Sequence, residues 1–229
     1  MEEVKTVGEV ASQTLETLVS MRTPITASQP SQNSNGSLRK KRDWQRNYLQ
    51  MEGDHPGLIK AMDQVFDFCV DYTKSPGRGR TLIIHGDNGT GKSRLSRKIS
   101  RWAKQVAMKL PLVVDQLGMQ GNMMVPSVHF SSWPEVVDGF KRDEWQILED
   151  MQAATLLLVD DIGAEHDPSR IGVEKMYVLL NRREFRWNVF STNVAPAGWV
   201  EKFERRIASR FYRNAIHVDL SGVPDFSQA

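Results

Sequence analysis

The eight residues from Gly86 to Ser93, GDNGTGKS, limit the possible folds of this chain more than any other stretch. They fit the spacing G-x-x-x-x-G-K-[ST] without a mismatch, between the apolar run TLIIH and a segment with helical periodicity. A strand, a glycine-rich turn and a helix in that order form a phosphate cradle. The glycines let successive N–H groups converge on an anion, and the helix N-terminus adds the positive end of its dipole. The motif therefore predicts ATP bound by Gly86, Asp87, Asn88, Gly89, Thr90, Gly91, Lys92, Ser93 and the adjoining Arg94. Lys92 is placed to reach the β- and γ-phosphates, and Ser93 to ligate Mg²⁺.

Such a cradle needs a second element to hold the metal and prepare water. The run LLLVDDIG, Leu156 to Gly163, supplies one. Four apolar residues suit a central strand buried on both faces. Asp160 and Asp161 follow, where parallel strands release their ends into a ligand crevice. Asp160 is expected to hold Mg²⁺ through water and Asp161 to act as general base. In the segment FSTN, Asn193 closes the next strand and can orient the lytic water. In ERRIASRF, Arg206 and Arg210 share one helix face. They form either a solvated face or a cationic contact to the γ-phosphate of a neighbouring subunit.

Alternating apolar and helical segments between these motifs predict an α/β fold with a parallel five-stranded sheet flanked by helices. The expected strands are Thr81–His85, Val125–Ser131, Ala154–Asp160, Trp187–Thr192 and Ala215–Leu220. The expected helices run from Pro56 to about Thr73, from Gly91 to about Met108, over Val173–Phe185 and over Trp199–Tyr212. With 229 residues, the chain suits one such domain and a short appendage.

The appendage is N-terminal. Residues 3–21 carry an amphipathic helical pattern, which either packs on its own domain or docks on another protein. Residues 23–37 are poor in apolar groups and read as a flexible tether. The expected division is a partner-binding helix over 1–22, a basic-ended linker over 23–42 and an ATPase domain over 43–229. The segment 111–124 is longer than a helix-to-strand connection needs.

A single cysteine, Cys69, excludes a disulfide framework and a cysteine-based zinc site. The start Met1-Glu2-Glu3 has no secretory pattern, and no apolar run approaches the ~20 residues that span a bilayer. The expectation is a cytoplasmic protein without membrane contact.

The net charge of +2 does not by itself announce nucleic acid. Its distribution says more. Lys92 to Lys109 carries seven basic residues and no acid, and Arg94, Arg97, Lys98, Arg101 and Lys104 recur at helical spacing. They form either a phosphate-contacting stripe or a solvated face. The cluster LRKKRDWQR offers Trp44 either to stack on a base or to anchor the linker.

The ordered set GDNGTGKS, LLLVDDIGAE, FSTN and ERRIASR resembles the DnaC/DnaI helicase loaders, members of the AAA+ ATPases, over roughly residues 50–220. VHFSSWPEVVDGF and NRREF, with Arg182 and Arg183, agree with that family's pattern. The resemblance implies a P-loop AAA+ domain without a full lid, ATP hydrolysis with Mg²⁺, self-association through the ATP sites and single-stranded DNA binding. It also implies delivery of a hexameric replicative helicase, contacted through the N-terminal helix. By position, Lys92 and Ser93 match Walker A, Asp160 and Asp161 Walker B, Asn193 the sensor and Arg210 the arginine finger, with Arg206 one turn earlier. Asp161 stands where many AAA+ proteins carry Glu, and its shorter side chain implies slow turnover. A closely related alternative is an IstB-type transposition helper that binds duplex DNA and recruits a transposase. A small-molecule kinase also uses a P-loop, but the paired aspartates, FSTN and paired arginines argue against it.

Overall fold

The computed structural model describes residues 55–74, 78–107, 127–213 and 215–225. The N-terminal helix, the linker, the cluster around Trp44 and the segment 111–124 lie outside the described residues.

Helix α1, Pro56–Lys74, leads into strand β1, Thr81–His85, and helix α2, Lys92–Ala107. Strand β2, Val128–Ser132, is followed by α3, Trp133–Lys141, and α4, Gln146–Ala153. Then come β3, Leu156–Ile162, α5, Ile171–Arg182, and β4, Trp187–Thr192. A short 3₁₀ turn, Pro196–Gly198, precedes α6, Trp199–Tyr212, and β5, Ala215–Asp219. The strands form one parallel sheet in the order β2-β3-β4-β1-β5.

Alternation along the strands divides the interior in two. Leu82 and Ile84 of β1, with Leu156 and Leu158 of β3, face α1 and α2. Ile83, Leu157 and Val159 point the other way, into the layer of α3 to α6. Both sheet faces are thus buried along β1 and β3, which is why those two strands read as apolar runs, LII and LLLV. Trp187 closes the first layer with edge contacts to Phe68 and Tyr72, at centroid distances of 5.1 Å and 5.5 Å.

Several boundaries differ from the sequence expectation. Strand β3 begins at Leu156, not Ala154, and runs on to Ile162. Thr155 and Ala154 are taken up instead by side chains: Thr155 Oγ1 accepts the Ser127 N–H, and the Ala154 carbonyl accepts from Arg183. Helix α5 starts two residues early because the Asp167 carboxylate accepts the N–H groups of Ile171 and Gly172, at 3.1 Å and 2.7 Å. It stops at Arg182 because the next side chain turns inward. Helix α4 has no counterpart in the sequence reading.

That inward side chain is Arg183, 1% exposed. Its guanidinium donates to the carbonyls of Met151, Gln152, Ala154 and Trp187 and to Asn188 Oδ1. Five acceptors from α4, β4 and the segment before β3 thereby share one cation. Burial, and secondarily the charge of Arg186, lower its pKa to about 9. Losing it would strand several buried carbonyls at once. Arg183→Ala is therefore expected to destabilise the domain by about 3–5 kcal/mol in chemical denaturation. Arg183→Lys should rescue little of this, since one ammonium cannot span the set.

Candidate functional site: a phosphate cradle beside two strand ends

The loop after β1 is shaped by glycine. Gly89 and Gly91 have φ of 74° and 92°, where a side chain is strained. A Cβ on Gly89 would also collide with the Asp225 carboxylate of the C-terminal segment. Thr90 Oγ1 donates to the Asp87 carbonyl at 2.8 Å and tightens the turn. Lys92, 4% exposed, folds back so that Nζ donates to the carbonyls of Gly86 and Asp87, at 2.9 Å and 2.5 Å. Burial lowers its pKa, against the opposing pull of Asp161, Asp160 and Asp87.

Across the crevice, β3 breaks its register with β4 between Val159 and Ile162. Asp161 takes a φ of 58° in this bulge. The two aspartates are thereby separated in environment. Asp160 is 3% exposed and accepts a hydrogen bond from Ser191 Oγ. Asp161 is half-buried, and its N–H donates to that same Ser191 Oγ at 3.0 Å. Burial first, and then the neighbouring Asp160, raise the Asp161 pKa, while Lys92 and Arg97 pull it down. One step along β4, Thr192 Oγ1 donates to the Ile162 carbonyl at 2.6 Å and accepts the Val194 N–H. This bracing aims the turn that carries Asn193.

A cleft of about 350 Å³ results, lined by Asn88, Gly89, Gly91, Lys92, Ser93, Arg94, Asp161, Ala164 and Asn193. Gly86, Asp87 and Thr90 form the loop behind it, and Asp160 lies beneath the lining. The donor set suits a nucleoside polyphosphate: glycine-shaped backbone, a helix N-terminus and a lysine for phosphates, with a hydroxyl and carboxylates for a hard cation such as Mg²⁺.

Arg206 and Arg210 do not line this cleft. Both stack on Tyr177 of α5, with guanidinium carbons 4.7 Å and 4.5 Å from the ring centroid. Arg210 also donates to the Arg206 carbonyl and to Asn181 Oδ1. Helix α6, expected to be unbroken, kinks at Glu204, where φ is 70°. The Glu204 carboxylate is held there by Arg170 at 2.7 Å and Arg206 at 2.9 Å. Arg182 is exposed, and Arg183 serves the fold as described.

The overall fold is shared with known structures. A crystal structure of DnaI superposes with a TM-score of 0.59 at 21% identity, covering 79% of this chain and 92% of that one. A crystal structure of the DnaC helicase loader gives 0.58 at 18% identity, covering 78% and 98%. This chain shares its fold with DnaI and DnaC. The replication initiator DnaA, bound to AMPPCP and single-stranded DNA, gives 0.50 at 18% identity, with 76% of this chain on 48% of that one. This chain thus matches about half the length of that DnaA. No family model and no curated protein matches the chain. Among the described residues, no helix is long and apolar enough to cross a membrane, and no cluster of His, Cys, Asp and Glu forms a separate metal site.

Sequence reasoning overlooked Ser191. Its hydroxyl touches both aspartates, and its signal was the Ser immediately inside FSTN. In an ATPase that uses these two aspartates, Ser191→Ala should leave nucleotide binding intact and lower kcat about 10–100-fold, the scale on which groups supporting a metal's ligands act. The pH profile carries a further expectation. A carboxylate accepts a proton only when ionised, so any turnover that uses Asp161 as base should fall as pH drops through its raised pKa. Lys92 loses its charge at lower pH than a free lysine. The kcat/KM profile should therefore be narrowed from both sides, and Asp161→Asn should abolish turnover at every pH.

Proposed function

We propose that this chain is an Mg²⁺-dependent ATPase that loads a replicative DNA helicase. The carrying observation is that Lys92, Ser93, Asp161 and Asn193 meet in one cleft, on a fold shared with DnaC and DnaI. Lys92 and the loop amides bind the β- and γ-phosphates. Ser93 and Asp160 would hold Mg²⁺, which would supply positive charge against the charge that develops in phosphoryl transfer. Asp161 takes the proton of the attacking water, and Asn193 orients that water. The arrangement of Arg206 and Arg210 supports a site completed by a neighbour: two cations are mounted together on α6, apart from their own chain's cleft. In this reading the stack on Tyr177 is their resting place, and an adjoining subunit's γ-phosphate draws one of them across. The N-terminal helix over residues 3–21 would contact the helicase, and single-stranded DNA would be the second partner.

ATP hydrolysis measured against protein concentration tests the shared site. Lys92→Ala should lose nucleotide binding. Arg210→Ala should bind ATP yet hydrolyse it at least about 10²-fold more slowly, the scale on which loss of such a cation acts. A mixture of the two should regain activity that neither shows alone. Activity independent of concentration, with an inactive mixture, would remove Arg210 from the mechanism. Pull-down of a hexameric helicase, lost on deleting residues 1–22, tests the loading role; capture of a transposase instead would favour the IstB-type alternative.

A further inference from the structure

Helix α2 holds more positive charge than a nucleotide requires. Beyond Lys92, it carries Arg94, Arg97, Lys98, Arg101 and Lys104 and no acid. Its other face is committed to the interior through Leu95, Ile99, Trp102 and Ala103. The outward face is not a flat solvated row. Arg94, Arg97, Lys98 and Arg101 line a concave cleft of about 440 Å³, with no carboxylate among the described residues of its wall. Among the described residues, none of the four forms an ion pair.

Two physical features make this arrangement costly for an isolated protein. Cations belong near the C-terminal end of a helix, where the carbonyl ends are exposed, yet here three fall within the first two turns. They also crowd one another: partial burial, then the charges of Arg94 and Arg101, push Lys98 below the ordinary lysine pKa. An anion in the cleft relieves both. The spacing i, i+3, i+4, i+7 presents the cations in one row along a single helix face. A row of this kind matches the repeated negative charges of one polymer strand better than a single compact anion.

We propose that the α2 cleft is a binding site for the phosphodiester backbone of nucleic acid, running directly into the nucleotide pocket. Arg94 is the junction, since it lines both cavities. This inference rests on the DNA-binding part of the proposed function and supplies a location for it. Among the described residues, no aromatic side chain lines the cleft, so the contact is to backbone and indifferent to base sequence. Because Arg94 belongs to both sites, strand binding and nucleotide binding should influence one another.

The test uses the full chain and two fluorescent probes, an oligo-dT strand and a duplex of equal length. Each is titrated by anisotropy across a salt series. The triple variant Arg97→Gln, Lys98→Gln, Arg101→Gln spares Arg94 and should still bind ATP, which confirms that it is folded. On the single strand, its log K against log salt slope should be shallower than that of the unaltered chain by about 2, at about 0.7 for each phosphate no longer neutralised. Replacing Arg97 and Arg101 by Lys should keep the original slope. A comparable drop with duplex alone would still place the phosphate contacts here and identify a paired source. If the unaltered chain binds DNA and the triple variant keeps both slopes, the cleft assignment is overturned and DNA binding stands elsewhere. If the unaltered chain binds neither probe, the DNA part of the proposed function falls with it. Loss of self-association in the triple variant, with both DNA slopes unchanged, would make the cleft a contact to a second copy and refute the assignment.

Discussion

A parallel sheet buried on both faces leaves only its strand ends for polar chemistry, and this constraint organises the whole domain. Along β1 and β3, alternate residues enter opposite hydrophobic layers, so no ionisable side chain is tolerated mid-strand. The first positions open to polar chemistry are the loop from Gly86 after β1, Asp160 and Asp161 near the end of β3, and Asn193 after β4. Because β1 sits between β4 and β5, with β3 beyond β4, those ends open on the same crevice. The cleft is thus a consequence of where the apolar runs stop.

Within that crevice, geometry is set by small hydroxyl groups on β4. The bulge at Asp161 breaks the register of β3 with β4, and Ser191 ties it down, donating to the Asp160 carboxylate and accepting the Asp161 N–H. The result is a buried, hydrogen-bonded carboxylate beside a half-exposed one with a raised pKa. Two chemically identical side chains are thereby placed in different surroundings, one buried against Ser191 and one half-exposed at the cleft. At the opposite end of the same strands, Arg183 plays the complementary structural part, gathering the carbonyls that precede β3 and flank β4. One end of the sheet is closed by a buried cation, while the other is left open for a ligand.

The charge distribution follows the same division. The Tyr177 stack holds Arg206 and Arg210 on the α5–α6 surface, away from the cleft of their own chain. Helix α2 keeps its cations at the cleft and beside it. A nearly neutral chain can therefore present a strongly positive groove, because charge is sorted by helix face.

Much of this was legible in the residues themselves. The glycine spacing of GDNGTGKS, the apolar run ahead of Asp160 and Asp161, and the strand–helix alternation each reflect local requirements, so the sequence alone determined the parallel α/β fold and most of the cleft's lining, though not that Arg206 and Arg210 lie away from it. What it could not determine was anything set by partners distant in the chain. The inward turn of Arg183 depends on carbonyls around residues 151–154 that arrive only after folding. The start of β3 was misplaced because Ala154 and Thr155, apolar and β-branched, read as strand until Arg183 and Ser127 claim them. Glu204 fits a helix by propensity, yet ion pairs with Arg170 and Arg206 hold it in a kink. The α2 stripe was equally compatible with a solvated face or a phosphate contact, since helical spacing reveals which residues share a face but not whether that face is concave. Local patterns determine which elements form and which groups end them; the mutual positions of those groups, and hence their pKa values and partners, were decided only by tertiary packing.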